Sequence, residues 1–279
     1  TLLNRCLESI FKAEVSQSIS LVLIHQLGDN TTSEVLSFWK PIFESDERFS
    51  LFYIQTEPEG SPLQKINSNY LHGFNFAFQV LFCDWILCLE EDSILSTDAL
   101  LFVEDTYFKL SSNINFCGIS LGAMESNSQL SNTYSLVRYS FNGQAGVLTK
   151  RMWSWFEQSE LDQHLSILPF DGLTSSKWRT GFVVVPNVSK YMNYGWIKGT
   201  HVSSDDDLSG FKKLETSFLA NEHSSSYSRL DIPHTWRRDM IPYKKRATWY
   251  FQLIYLIFRV CGPANFNRLS RTLHRMKAR

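Results

Sequence analysis

A chain of 279 residues, 43% apolar and 14% aromatic, has material for a sizeable core, as one large α/β domain or two modest ones. Its formal net charge of -1 argues against a nucleic-acid partner, and its apolar content argues against disorder or a collagen-like chain. Of its 27 Lys and Arg and 28 Asp and Glu, eleven basic residues but only one acid, Asp239, fall within 237–279, leaving sixteen basic and twenty-seven acidic residues upstream. An acidic body with a basic tail points the tail toward a membrane surface or an acidic partner.

Residues 1–13 set Leu3, Cys6, Leu7, Ile10 and Phe11 at helical spacing, which predicts an opening helix. Residues 18–25, Ser-Ile-Ser-Leu-Val-Leu-Ile-His, predict a strand that ends in the turn Leu27-Gly28-Asp29-Asn30. Ligands of open α/β sheets sit at the carboxyl ends of strands, so His25 and Asp29 become candidate nucleotide-binding residues; the other reading is a loop with an Asx turn. A helix over 31–43 with a threonine cap, a strand over 49–55, a loop at Pro58, Gly60 and Pro62, and a long helix over 63–82 follow.

Trp85, Ile86, Leu87, Cys88 and Leu89 form an apolar run of strand length, which then stops on Glu90, Glu91 and Asp92. Three consecutive carboxylates with no cation nearby in sequence repel one another unless something positive neutralises them. Hard oxygen ligands suit Mn²⁺ or Mg²⁺, ions that complete their shells with substrate phosphates. A solvated acidic turn ahead of the next helix would also explain the triplet.

Further along, Ser96-Thr97-Asp98 introduces a predicted helix over 99–110, and 116–121 reads as a strand. A polar loop over 126–133, a glycine-containing crossing over 141–148, a helix over 152–157, a β-branched strand over 182–186 closed by proline and a loop over 193–201 complete the body. The aromatic and aliphatic residues of 249–258, followed by Arg268, Arg271, Arg275, Lys277 and Arg279, read either as an interfacial helix or as a core helix with a solvated basic end. The alternation of helix and strand predicts a doubly wound sheet with right-handed crossovers, whose first strand would lie ahead of Thr1.

Five cysteines without tight pairs argue against a disulfide framework, and Cys83 and Cys88 read as buried thiols. No run reaches the roughly 18 apolar residues of a spanning helix. The expected location is cytoplasmic, peripheral on a membrane, or the Golgi lumen if an anchor lies upstream. No phosphate loop, His-Glu-x-x-His helix or Gly-x-Ser-x-Gly elbow occurs.

The segment from Ile66-Asn67-Ser68-Asn69-Tyr70 through Phe82, then Glu90-Glu91-Asp92, then Thr97-Asp98, resembles the donor-binding half of GT-A glycosyltransferases, closest to the inverting β-1,2-N-acetylglucosaminyltransferase I family with its Glu-Asp-Asp motif and following Pro-Asp. Residues 141–153, Phe170-Asp171, Val185-Pro186-Asn187-Val188-Ser189 and 194–201 resemble, in the same order, that family's glycine-rich strand, Trp-Asp-Asp-Trp segment, Pro-x-Ile-Ser-Arg strand and Gly-x-x-x-Gly-x-x-His loop. The resemblance covers about 63–215. It implies a GT-A type, Rossmann-like α/β fold: a mixed, mostly parallel sheet flanked by helices, with a nucleotide-sugar half over 1–120, an acceptor half over 121–215 and a basic amphipathic extension over 216–279.

The same resemblance implies a metal-dependent inverting glycosyltransferase with a UDP-sugar donor and a glycan or lipid-linked acceptor; a sugar-phosphate nucleotidyltransferase, which also uses clustered carboxylates and metal on a similar sheet, and a catalytically silent glycan-binding domain are the alternatives. Asp92 would bind Mn²⁺ under the diphosphate, Glu90 and Glu91 would face the ribose or the metal's waters, and His25 and Asp29 would lie near uracil and ribose. His201 would reach the metal or phosphates. Asp171 would be the base that removes the acceptor proton during inversion. This chain departs from the family by having Glu91 for Asp, and Gly172 for the second of two adjacent acids. Trp153, Trp155, Trp178 and Trp196 read as sugar platforms or as core.

Overall fold

The computed structural model describes residues 1–57, 59–122, 134–137, 145–154, 182–186, 188–195, 215 and 218. Helix α1 (Leu2–Lys12) starts where Thr1 Oγ1 accepts the Asn4 amide at 3.2 Å, and it buries Cys6, Leu7 and Ile10. Strand β1 (Ile19–Gln26) leads to α2 (Asn30–Glu44), whose cap is Asp29 and not the expected threonine. Thr31 and Thr32 lie inside the first turn, and the carboxylate one residue earlier reaches the Thr32 amide at 3.1 Å. Strand β2 (Phe49–Thr56) pairs in parallel with β1, from Ile19 opposite Phe49 to Gln26 opposite Thr56.

Helix α3 (Pro62–Asn75) opens with Pro62 in its first turn and a reciprocal cap between Ser61 and Gln64. The helix expected to run to Phe82 instead widens into a π-helical turn over Phe76–Val80, sealed by Leu81 N–H to Phe76 O at 3.0 Å. Strands β3 (Trp85–Leu89) and β4 (Ser93–Leu95), helix α4 (Ala99–Leu110), strands β5 (Phe116–Ser120), β6 (Tyr134–Val137) and β7 (Ala145–Thr149), the turn α5 (Lys150–Trp153), and strands β8 (Phe182–Pro186) and β9 (Tyr191–Asn193) follow. The fold is mixed α/β, as expected.

The strands do not form one ladder. β1 and β2 pair with each other, β3-β7-β5-β8-β6 make a five-stranded sheet, and β4 pairs with β9. In the five-stranded sheet β7 runs antiparallel to both β3 and β5, β8 is parallel to β5, and β6 is antiparallel to β8. Helix α3 relates this sheet to the first pair. Its Asn69 accepts from Thr56 at the end of β2 (2.8 Å), and its Tyr70 donates to Glu90 just past β3 (3.2 Å). Farther along the same helix, Phe76 meets Phe52 of β2, and Phe78 shares a cluster with Cys88 of β3. Helix α3 therefore runs antiparallel to β2 and β3, so β1, β2, β3, β5 and β8 share one direction while β6 and β7 reverse it.

One core spans both strand groups. On one face α1, α2 and α4 bury Leu7, Phe43, Phe102 and Val103 against β5, β7 and β8, with Leu21, Leu51 and Leu87 packed alongside. Each such aromatic or aliphatic side chain contributes roughly 1.5–3 kcal/mol by leaving water. Phe43 and Phe49 meet edge to face at 5.0 Å, and Arg48, held by Asp46, lies over Phe11 and Phe49 at 5.3 and 5.1 Å. On the other face Phe74, Phe78 and Trp153 cover Cys88, Leu148 and Val183. Trp153 stacks on Phe78 at 5.9 Å, which makes it core and not a sugar platform; the other three candidate tryptophans lie outside the described residues.

The four described cysteines, Cys6, Cys83, Cys88 and Cys117, are free; Cys88 is buried and Cys83 half-buried. Among the described residues no helix is long and apolar enough to cross a membrane. The basic tail and the 126–133 and 196–201 loops lie outside the described residues.

Candidate functional site

Because β1, β2 and β3 point the same way over one core, their carboxyl ends face the same side of the molecule. The apolar run of β3 is half-buried apart from the fully buried Cys88, and it ends where a turn from Glu90 to Ser93 reverses the chain, with Ser93 N–H donating to Glu90 O at 3.0 Å. That turn presents the three carboxylates. Tyr70 holds the Glu90 side chain from α3, and the Cys6 thiol of α1 lies 3.6 Å from the Glu90 carbonyl. Burial, with Glu91 and Asp92 adding repulsion, pushes the Cys6 thiol up to about 12, so Cys6 is an inert packing group beneath the turn. Glu91 is exposed.

Asp92 is the unusual member. Its Oδ1 is buried and has no hydrogen-bond partner among the described residues. Burial, followed by the neighbouring Glu91 charge, raises its carboxyl above the usual aspartate value. Tyr194 N–H donates to the Asp92 carbonyl at 2.9 Å, continuing the β4–β9 pairing of Ser93 opposite Asn193. That pairing lays Gly195 against the carboxylate: a Cβ on Gly195 would overlap Asp92 Oδ2. A buried oxygen with no donor costs free energy unless a ligand supplies a positive partner.

Behind the turn, the chain flanking β4 and β9 is joined by a part-buried ion pair. Lys190 Nζ donates to Asp98 Oδ2, Ser96 Oγ donates to Asp98 Oδ1 at 2.7 Å, and Ser96 N–H donates to Lys190 O at 3.0 Å. Asp98, expected as a helix cap, makes no capping bond; its carboxylate is taken up by Lys190 and Ser96. On the outer side Arg5 lies 4.3 Å from the Tyr194 ring centre. The Tyr194 phenol is raised by burial first and then by Glu215, against a lowering by Arg5.

At the β1 end, His25 Nδ1 is buried with no partner among the described residues, and the His25 carbonyl lies 3.4 Å from Thr56 Oγ1. Asp29 is exposed, and both its oxygens engage Thr32, at 3.1 Å to the amide and 2.6 Å to the hydroxyl, which lowers its carboxyl. It is thus the Asx-type cap of α2. Asp171 and His201 lie outside the described residues.

The site brings Glu90, Glu91 and Asp92 together on one turn, with His25 at and Asp29 past the carboxyl end of β1, which runs in the same direction as β3. It adds Tyr70, Gly195 and Lys190. Tyr70 and Gly195 lie within the motifs 66–70 and 194–201 but have no individual role there, and no motif singles out Lys190. Gly195 and Lys190 act on the turn across about a hundred residues of chain, a relation that spacing does not carry. Among the described residues no three His, Cys, Asp or Glu side chains form a metal cage by themselves. No protein-family model matches the chain, and no curated protein matches it.

Proposed function

We propose that this protein is a metal-dependent inverting glycosyltransferase that moves a sugar from a nucleotide diphosphate donor, with UDP as the carrier, to a hydroxyl of a glycan or lipid-linked acceptor. The observation that carries the reading is the Asp92 carboxylate: Oδ1 is buried with no donor among the described residues, on an acid raised by burial, just past the carboxyl end of β3 in a mixed α/β fold. A divalent cation relieves both costs at once. Hard carboxylate oxygen suits Mn²⁺ or Mg²⁺, which take few protein ligands and use donor phosphates for the rest.

When bound, the ion supplies Lewis-acid stabilisation of the departing diphosphate. Asp92 would hold it, with Gly195 leaving room for the carboxylate and Tyr194 fixing its backbone. Glu90, steadied by Tyr70, would serve the ribose or the ion's waters, with Glu91 at the exposed rim. His25 would lie toward the base. By the resemblance of the motifs, His201 adds a ligand and Asp171 takes the acceptor proton. The basic 249–279 segment would meet an anionic membrane where lipid-linked acceptors lie; a cytoplasmic, peripheral location fits that reading, and the Golgi lumen is the alternative if an anchor lies upstream.

A screen of nucleotide sugars with Mn²⁺, reading transfer or slow donor hydrolysis, tests the proposal. Asp92→Ala abolishes metal-dependent UDP binding, whereas Asp171→Asn keeps binding and loses transfer. Wild-type protein that binds no nucleotide in Mn²⁺ overturns the reading. Binding without turnover of any donor replaces it with a silent binding domain of the same fold.

A further inference from the structure

Strands β1 and β3, which run in the same direction, each keep one free edge, and among the described residues no strand lies between these two edges. Ile19 N–H and Leu27 N–H go to Arg48 O and Thr56 O, at 2.8 and 2.9 Å, so the odd-numbered residues of β1 address β2. By the two-residue period of a strand, Ser20, Val22, Ile24 and Gln26 aim their amides and carbonyls at the opposite edge. On β3, Lys150 N–H donates to Asp84 O at 2.8 Å, which makes 84, 86 and 88 the residues that address β7. Trp85, Leu87 and Leu89 therefore aim theirs away from it. Among the described residues no strand pairs with either free edge.

Both edges lie inside the layered core and not at its rim. Leu21 and Leu23 of β1 and Leu87 and Leu89 of β3 pack against the same cluster beneath α1, α2 and α4. On the opposite face α3 touches both groups: a Cβ on its Gly73 would come 2.6 Å from Ile24, while its Phe74 packs with Cys88. A strand in the middle of a doubly wound sheet is normally its most buried part. Here every residue of β5, β7 and β8 is buried, whereas β1 has none buried and β3 only Cys88. Seven residues' worth of backbone polar groups between two apolar helical layers is a heavy cost to leave unpaired.

We propose that the space between β1 and β3 is a one-strand slot, filled by the polypeptide immediately preceding Thr1, in the direction of β1 and β3. The connection selects this occupant. Helices α1 and α2 pack on the same face, with Trp39 Nε1 donating to Asn4 at 2.8 Å and Phe11 against Trp39. The crossover from β1 through α2 to β2 moves the chain one way across the sheet. A right-handed crossover through α1 into β1, on that same face, moves it the same way, and so starts from a strand beside β1 on the edge away from β2. That edge is the slot. The occupant reads as about five or six residues, apolar on both faces, because helices cover both sides. Its carboxyl end emerges between the His25 turn and the Glu90–Asp92 turn. The inference rests on strand pairing alone and is independent of the donor chemistry.

N-terminal sequencing and intact mass of the protein purified from its native source give the first test: an apolar strand-length run ahead of Thr1 is expected, and a native chain that starts at Thr1 overturns the proposal. Amide hydrogen exchange on that native protein gives the second. The amides of Ser20, Val22, Ile24, Gln26, Trp85, Leu87 and Leu89 exchange as slowly as those of their odd- or even-numbered neighbours that face β2 and β7; fast exchange confined to the seven overturns it. Finally, the 1–279 chain alone exchanges these seven about 100-fold faster than the native protein. Equal protection in both overturns the proposal, because the slot is then filled from within 1–279 or by a second copy.

Discussion

The α-carbon of Gly195 lies against the carboxylate of Asp92, so close that any side chain there displaces Oδ2. The contact is made by the short β4–β9 pairing, in which Tyr194 N–H caps the Asp92 carbonyl at 2.9 Å. Gly195→Ala is therefore expected to keep the fold and move the carboxylate. Mn²⁺-dependent UDP affinity, read by titration calorimetry, falls about 10- to 100-fold, the usual effect of disturbing a group that orients a metal ligand. Unchanged affinity would separate Gly195 from the site.

Asp92 also carries a pH signature. Its folded carboxyl is raised from 3.8 by burial and by Glu91, so the folded state binds the proton more tightly than the unfolded chain. Stability from this group is full below 3.8 and is lost as pH rises through the raised value. In metal-free protein at neutral pH, Asp92→Asn is expected to raise Tm by about 1–4 °C, with the gain vanishing in acid where wild type is protonated. Adding Mn²⁺ and UDP reverses the order, since only the wild-type carboxylate gains a ligand. A variant less stable than wild type in metal-free neutral buffer would mean that Asp92 has an internal partner.

Much of this layout was readable from residue order because it depends on local patterns. The apolar run Trp85 to Leu89 ends at the acids as expected, and the spacing of Leu3, Cys6, Leu7 and Ile10 gives α1 its buried face. Two kinds of feature were not readable. A cap shifted from threonine to Asp29 turns on one backbone torsion, and the π-turn at Phe76 preserves the apolar spacing while altering the hydrogen bonds. Contacts such as Lys190 with Asp98 arise from the pairing of β4 with β9, distant strands of three residues each, too short to announce their register.

Tyr70 offers a test of how Glu90 is held. Its hydroxyl donates to Glu90 Oε1 at 3.2 Å from one helix face, while its ring packs on Phe74 at 5.7 Å. Tyr70→Phe keeps the ring and removes the donor. Because a hydrogen bond to a charged acceptor is worth about 1.5–3 kcal/mol, losing it is expected to lower Tm by about 3–10 °C and, with Glu90 no longer steadied, to drop UDP-sugar affinity or turnover about tenfold. A loss of stability with no change in donor handling would make Tyr70 structural only.

The Asp98–Lys190 pair predicts a different pattern, in which stability moves first. Lys190 is 7% and Asp98 24% exposed at the side chain, and Ser96 occupies the second carboxylate oxygen. Removing one partner leaves the other charged and buried, so Asp98→Asn and Lys190→Met are each expected to destabilise by about 3 kcal/mol in urea unfolding. Replacing both removes the stranded charge, and the double variant should lose clearly less than the sum of the singles. Since this pair anchors β9, which leads into Tyr194 and Gly195, to β4, which follows Asp92, the single variants should also weaken Mn²⁺-dependent UDP binding. Additive losses, with metal binding intact, would show that the pair neither couples the two strands nor positions the acidic turn.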